Sequence, residues 1–380
     1  MDQSKQIYLD NAATTQIDRQ VIEKMKFSLE EYGNPNSSHE LGKRAKEIVE
    51  EARVNVALMI NAEPSEIIFT SGGTESNNWA IYSSILKTKK KGVATSKIEH
   101  HSILYGIQEF HKSIGAKGRF IPVNSIGIVD FQYLKDNINT DLGLVTVMMV
   151  NNEIGSIQPI KELSSLAHKY GVLFHTDAVQ ASGKIPIDVK DLDVDMLSLS
   201  GHKFHGPKGV GILYVKDGID VRPMIAGGHQ ENGYRAGTYN VPGIVGMGEA
   251  ARLLNSEDDM NKIRLIDDLL WSLIKVSIPN VKRNGDPYQS VPGVINVCFE
   301  GTESKMLVLE LSKRGVYCSS GSACNEGQTS PSHVLKAMGC STFEAHSSVR
   351  FSLSRNITKA DIYEAIGIIS DVVKNNRECI

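Results

Sequence analysis

The stretch Ser198-Leu199-Ser200-Gly201-His202-Lys203-Phe204-His205-Gly206-Pro207-Lys208-Gly209 decides how this chain is read. A mostly apolar run from Val194 to Leu199 has the look of a buried strand and stops at a hydroxyl, a glycine, a histidine and Lys203. A glycine-rich turn and a second apolar run, Val210 to Val215, follow. Lys203 therefore falls on a tight turn at a strand end, held by what flanks it. Lysines fixed in this way form Schiff bases with carbonyl cofactors. A plain surface lysine is the ordinary alternative, and the rest of the chain has to separate the two.

Outward from Lys203 the pattern alternates strand and helix. Strand-like runs are expected at Ile67–Phe69, Gly92–Ala94, Leu144–Val150, Val172–His175, Met196–Ser200 and Gly211–Val215. Amphipathic helical runs lie among and before them: Ile160 to Tyr170 turns Leu163, Leu166 and Ala167 inward, and Leu41, Ala45, Ile48, Val49, Ala52, Val56 and Met59 recur at helical spacing. Asp18 is placed to cap a helix with Val21, Met25 and Leu29 on its inner face. Apolar strands between such helices predict an α/β fold, a mostly parallel sheet covered on both faces. Ligands in such folds bind beyond the carboxyl ends of the strands. Those ends carry Ser71-Gly72-Gly73-Thr74-Glu75-Ser76-Asn77-Asn78, Glu99-His100-His101, Asn151-Asn152-Glu153 and His175-Thr176-Asp177-Ala178-Val179-Gln180. Beyond about residue 250 the alternation loosens. A helix over 261–276, a strand Val294–Phe299, a helix Lys305–Lys313, strands Val316–Ser319 and Val349–Ser354, and a last helix Ala360–Val373 capped by Thr358 are expected there.

Composition narrows the function classes. With 380 residues, 41% hydrophobic, 22% charged and a net charge of -3, the chain is an ordinary globular protein with no call for nucleic acid or an anionic membrane as partner. No apolar stretch reaches the roughly 18 residues of a membrane span, and the first residues lack a signal-peptide core, so a cytoplasmic protein is expected. Five cysteines, Cys298, Cys318, Cys324, Cys340 and Cys379, are an odd number without a C-x-x-C pair, which argues against a disulfide framework and a structural zinc site, and no metal is expected.

A turn lysine, an aspartate at a neighbouring strand end and an anion cradle at a helix start are the parts of a pyridoxal 5'-phosphate site. Lys203 is the imine partner, and Asp177 the carboxylate that keeps a pyridine nitrogen protonated. Thr74, Ser200 and His202 are the phosphate donors, and His100 the flat group over the ring.

The motifs then become specific. Tyr-Leu-Asp-Asn-Ala-Ala-Thr-Thr at 8–15, Gly-Asn-Pro at 33–35, Thr-Ser-Gly-Gly-Thr-Glu-Ser at 70–76 and Glu-His at 99–100 stand in order with Val-Asn-Asn-Glu-Ile-Gly at 150–155 and His-Thr-Asp-Ala-Val-Gln at 175–180. Ser-Gly-His-Lys at 200–203, Arg-Ala-Gly-Thr at 235–238 and Ser-Ser-Gly-Ser-Ala-Cys at 319–324 complete the set. The sequence resembles, over nearly its whole length, a cysteine desulfurase of the NifS/IscS type within the class V aminotransferase family. The resemblance implies the pyridoxal-phosphate-dependent transferase fold of type I. That means a large domain over 16–260 with a seven-stranded sheet, and a small α+β domain from 1–15 and 261–380 carrying a cysteine loop at about 319–332. It implies that Gln180 bonds the ring hydroxyl, Gly73 adds a backbone donor, and Thr238 reaches the phosphate of the other subunit of a homodimer. Asn152 would serve cofactor and substrate, Arg350 would grip the substrate carboxylate, and Cys324 would be the nucleophile. The implied reaction turns L-cysteine into L-alanine and leaves a persulfide on Cys324 for an acceptor in iron–sulfur assembly or tRNA thiolation. Lys203 or His100 would move the α-proton.

The chain departs from that pattern at His229 and Asn232, where a glycine and an arginine are usual, and at Asn325-Glu326 after the nucleophile. These bear on the acceptor, not on the cofactor. Two other functions stay open: a selenocysteine lyase or other class V aminotransferase-like enzyme on the same cofactor, and a non-catalytic sulfur-relay scaffold. Cys318 and Cys340 read as packing residues, with a resolving thiol the weaker option, while His101, His175 and His205 read as neighbours of the site and His39 as structural.

Overall fold

Near-continuous apolar pentapeptides bury themselves on two sides, and this builds the centre of the molecule. The structure, a computed structural model, describes residues 5–254, 256–321 and 330–378. Its first half runs β1 (Ile7–Tyr8), α1 (Arg19–Glu30), α2 (Glu40–Met59), β2 (Ile67–Thr70), α3 (Gly73–Thr88), β3 (Gly92–Ser96), α4 (His101–Ile114), β4 (Lys117–Ile121), α5 (Phe131–Asn137), β5 (Leu142–Thr146), α6 (Ile160–Lys169) and β6 (Leu173–Asp177). It continues through α7 (Val189–Leu192), β7 (Met196–Ser200), β8 (Gly211–Val215), α8 (Val241–Arg252) and the long α9 (Ser256–Ser277). The last part holds β9 (Val281–Asn284), β10 (Val294–Phe299), α10 (Ser304–Lys313), β11 (Val316–Tyr317), α11 (His333–Ala337), α12 (Thr342–His346), β12 (Ser348–Ser352) and α13 (Lys359–Glu378).

Among the described residues the central sheet has seven strands in the order β2-β8-β7-β6-β5-β3-β4. β8 runs antiparallel to both its neighbours, and the other pairs are parallel. Six strands therefore point one way, and their carboxyl ends share one edge of the sheet. Alternate side chains feed two cores, as the two-residue period of a strand requires. Phe69, Val145, Phe174 and Leu199 pack with α2, α6 and α8 on one face, while Ile68, Leu144, Met196 and Leu213 pack with α3 and α4 on the other. Trp79 of α3 is fully enclosed there, and its indole N–H donates to the carbonyl of Arg222 at 2.6 Å, which removes the cost of burying a polar group.

A further core gathers Ile7 and Leu9 with α9, α10, α13 and the antiparallel sheet β12-β10-β9. The two ends of the chain meet in it. β1 pairs with β11, Asn11 Nδ2 donates to the carbonyl of Ser352 at 2.8 Å, and the Ala12 N–H donates to Ser352 Oγ at 2.8 Å.

Several elements differ from the sequence reading. β5 stops at Thr146 rather than Val150, although the N–H groups of Val147 and Met149 still donate to the carbonyls of His175 and Asp177. β4 was not expected: Lys-Gly-Arg-Phe-Ile is an edge strand with an exposed face, so it lacks an apolar run. β9, Val-Lys-Arg-Asn, escapes for the same reason. Leu29 is exposed, not inward, and Ser28 takes the buried position of α1. α13 runs five residues past Val373, because Lys-Asn-Asn-Arg-Glu contains neither glycine nor proline to stop it.

Candidate active site

Five of the six aligned carboxyl ends converge on one cavity of about 250 Å³. Gly73, Thr74, His100, Asn152, Asp177, Gln180, Ser200, His202, Lys203 and Arg350 all line it. Ten expected site residues thus meet there, delivered by five strand ends and by β12 from the second core. A wider, shallow depression of about 890 Å³ runs along α1 between Arg19, Lys26 and Glu249, and none of these groups reaches it.

Lys203 ends the single helical turn after β7, as its glycine-flanked position predicts. Its amine donates to the carbonyls of Ala12 and Ala13, each at 2.7 Å. The turn of small residues after β1 therefore forms one wall of the cavity and aims the lysine. Asp177, at the end of β6, is 4% exposed and makes no ion pair with a described residue. Dipoles hold it instead: Asn77 Nδ2 donates to Oδ2 at 2.7 Å, and the Val179 N–H to Oδ1 at 3.0 Å. His100 caps α4, with Nδ1 accepting from the Ser102 N–H at 3.2 Å. Burial pushes its pKa down, Asp177 pulls it up and Lys203 pushes it down again. His202 is held low as well, at about 4, by burial and then by Lys203 and Lys208.

On the opposite wall Arg350 is 2% exposed. It donates from Nη2 to Asp10 Oδ1 at 2.7 Å and from Nη1 to the Asn152 carbonyl at 2.8 Å. Among the described residues its Nε has no partner, and neither does Asn77 Oδ1. Orphaned buried polar atoms of this kind are uncommon and mark places where a bound group completes the network.

The residues fit pyridoxal phosphate. Gly72, at φ 151, lets the chain turn so that Gly73 and Thr74, which line the cavity, open α3, whose first N–H groups have no partner within the helix. A Cβ at Gly73 would lie 2.8 Å from Val179 Cγ2, so this approach needs glycine. The cradle suits a phosphate, the uncompensated Asp177 a protonated ring nitrogen, and Lys203 an aldehyde.

Two expected residues are not part of this arrangement. Thr238 is exposed, in a separate depression of about 240 Å³ with Ser71, Arg235 and Tyr239. Cys324 lies outside the described residues, as do Asn325, Glu326 and Cys379. Cys318 is buried, its thiol pushed far up by burial, so a resolving role does not suit it; Cys298 is buried too and pushed up to about 11. Cys340 is partly exposed. His175 is fully buried inside the sheet, bonded to Thr146 and Ser198, and His39 caps α2. At the departure Gln230–Gly233, Glu231 and Asn232 adopt φ of 47 and 54, a region asparagine tolerates. Arg53 donates twice to the Glu231 carboxylate, at 2.9 and 2.8 Å, and anchors that turn.

The sequence reading missed Asn77, Ser102 and the carbonyls of Ala12 and Ala13. Asn77 lies one turn beyond Gly73 on α3, which is the signal that would have found it. Backbone carbonyls leave no mark on a sequence.

The aminotransferase class-V family model matches residues 7–364. A "Cysteine desulfurase IscS" of Methanosarcina thermophila is 43% identical, over 99% of this chain and 94% of that protein. A solved structure titled "NIFS-LIKE PROTEIN" superposes with a TM-score of 0.91 at 36% identity, covering 97% of this chain and all of that one. Another, "SspA in complex with cysteine", gives a TM-score of 0.82 at 36% identity over 93% of this chain and 100% of that chain.

Proposed function

The chain belongs to the class-V aminotransferase family and is a pyridoxal-phosphate-dependent cysteine desulfurase, and from that premise we propose how its residues share the work. Bound in the cavity, pyridoxal phosphate supplies an aldehyde for the amino group of cysteine and a ring that accepts electron density from its Cα. Gly73, Thr74, Ser200 and His202 hold the phosphate, and Asp177 keeps the ring nitrogen protonated. Lys203 carries the α-proton, steered by the Ala12 and Ala13 carbonyls. Arg350 binds the substrate carboxylate, with Asn152 beside it. His100, with Nδ1 engaged in the cap, exchanges a proton through Nε2. The Cys324 thiolate attacks the substrate sulfur. An S–S bond forms as the C–S bond breaks, the electron pair leaves with carbon, and protonation there gives alanine. The Cys324 persulfide then passes its outer sulfur to an acceptor.

The observation that carries this reading is the convergence of Lys203, Asp177, His100 and Arg350 on one cavity. The experiment is a paired assay: the purified protein should be yellow and release alanine and sulfide from cysteine with a reductant. Cys324→Ser should abolish sulfide and keep the colour. Full sulfide release by that variant overturns the role of Cys324.

The same proposal includes a homodimer, in which exposed Thr238 reaches the neighbouring subunit's phosphate, and a division into domains 16–260 and 1–15 plus 261–380, supported by the separate apolar cores. It includes a protein acceptor, an iron–sulfur scaffold or tRNA-thiolation enzyme, and a cytoplasmic location. No helix among the described residues is long and apolar enough to cross a membrane. Sedimentation, reconstitution with candidate acceptors and cell fractionation test these in turn.

A further inference from the structure

Lys184 is a buried amine that the mechanism leaves without a task. It stands four residues after Gln180, in the turn that leaves the carboxyl end of β6. The residue as a whole is partly exposed, but its amine end is enclosed. Nζ donates to the Gln180 carbonyl at 3.0 Å and to Gln180 Oε1 at 2.9 Å. No carboxylate among the described residues pairs with it.

The charges that act on its amine, those of Lys203 and Arg350, are of its own sign. Burial lowers its pKa most, Lys203 and Arg350 lower it further, and the result is about 7. A cavity of about 30 Å³, room for about one water, separates it from Lys203, His205, Asp259 and Arg355. Asp259 is already taken by Arg355 at 3.2 Å, and Arg350 by Asp10. Even uncharged, an amine keeps two N–H groups, which match the two acceptors on Gln180. The clamp therefore needs no positive charge beside Lys203.

Gln180 is where this clamp acts. Its Nε2 donates to the Ala12 carbonyl at 2.8 Å, the same oxygen that accepts from Lys203. With Oε1 occupied by Lys184 and one Nε2 hydrogen given to Ala12, a single N–H remains, and Gln180 lines the cavity. Without the Lys184 amine, only the bond to Ala12 opposes the amide turning over to present its oxygen.

We propose that Lys184 is a positioning residue: its amine locks the Gln180 amide so that the cavity is offered a hydrogen-bond donor, suited to an oxygen on the ligand ring, rather than an acceptor. This rests on the reading of Gln180 as a residue that contacts the cofactor.

The test is a double-mutant cycle on binding. Apoprotein is titrated with pyridoxal 5'-phosphate, and apparent Kd and the visible absorption maximum are read for wild type, Lys184→Met, Gln180→Ala and the double variant. Lys184→Met is expected to weaken binding about 10-fold, the scale of one lost hydrogen-bond arrangement, and to move the absorption maximum. In the Gln180→Ala background the same substitution should change Kd less than about twofold and leave the maximum in place. Equal effects of Lys184→Met in both backgrounds, or none in wild type, overturn the clamp and leave the Gln180 reading intact. A silent Gln180→Ala overturns the Gln180 reading and the clamp with it. Should Lys184→Met fail to fold, Lys184→Gln, too short to reach Oε1, takes its place in the cycle.

Discussion

At the amino-terminal edge of the central sheet, His168 bonds Asp195 through Nε2 at 2.9 Å and Asp193 through Nδ1 at 3.2 Å, while Lys216 pairs with Asp193 at 2.5 Å. Asp195 also accepts from the Phe174 N–H at 2.7 Å. At the carboxyl edge, a strand's length away, Asp177, Glu99 and Lys184 are hydrogen-bonded by neutral groups and form no ion pair among the described residues. Arg350 is the buried cation there that has a carboxylate beside it. One edge is saturated and costs little to bury, because each charge has a partner. The other holds polar groups whose networks are incomplete, which destabilises the bare protein and favours a charged ligand. Stability and chemistry have been assigned to opposite ends of the same strands.

Substitutions can break this contrast or sharpen it. The largest effect is expected at the open edge: Lys203→Ala should lower turnover of cysteine, measured as alanine release, by on the order of 10³-fold. Retention of a tenth of the wild-type rate would remove Lys203 from the chemistry. Arg350→Lys keeps the charge but loses the planar fork. It should raise KM for cysteine roughly 10- to 100-fold; an unchanged KM would mean that the substrate carboxylate is held elsewhere.

Glu99 gives a pH signature of the same edge. Its carboxyl is fully buried, accepts from the Ser96 hydroxyl at 2.5 Å and from the Met148 N–H, and is pushed by burial from 4.5 to about 8. The folded state therefore keeps a proton that the unfolded chain releases near pH 4.5, so this group's contribution to stability declines as pH rises and levels off above about 8. Glu99→Gln should remove that decline, and urea unfolding at pH 5 and pH 8 should show its stability rising relative to wild type at the higher pH. A constant difference would mean that Glu99 is ionised in the fold. His175, pushed down to about 3 by burial, works in the other direction, losing stability as pH falls below its ordinary value of 6.5, and the substitution leaves that acid limb in place. The smallest effect belongs to the saturated edge. Asp195→Ala should cost about 1 kcal/mol in unfolding free energy and leave kcat/KM within twofold; a large loss of activity there would erase the contrast.

Much of the open edge was legible, because strand ends carry their chemistry in short contiguous motifs. Ser-Gly-His-Lys and His-Thr-Asp-Ala-Val-Gln each put a buried run, a turn and a polar side chain in adjacent positions. The parallel sheet followed from the same runs. What escaped was whatever depended on the third dimension. β4 lies on the sheet's rim, where one exposed face dilutes the apolar signal. Leu29 fits the helical spacing, yet Ser28 faces inward, since the spacing leaves a face free by tens of degrees. Lys184 carries no motif: only its buried amine, without a carboxylate paired to it among the described residues, distinguishes it from any other lysine.

The meeting of the two chain ends bears on the order in which the protein is made. Asn11 bonds Ser352 across 341 residues, and Arg350 reaches the cavity from the same strand. A ribosome adding about 5–20 residues per second exposes Ala12 well before Arg350. Until β12 leaves the exit tunnel, the turn that aims Lys203 lacks its bonds to Ser352. The nascent chain thus carries its reactive lysine beside a turn that is only partly anchored until β12 has been made.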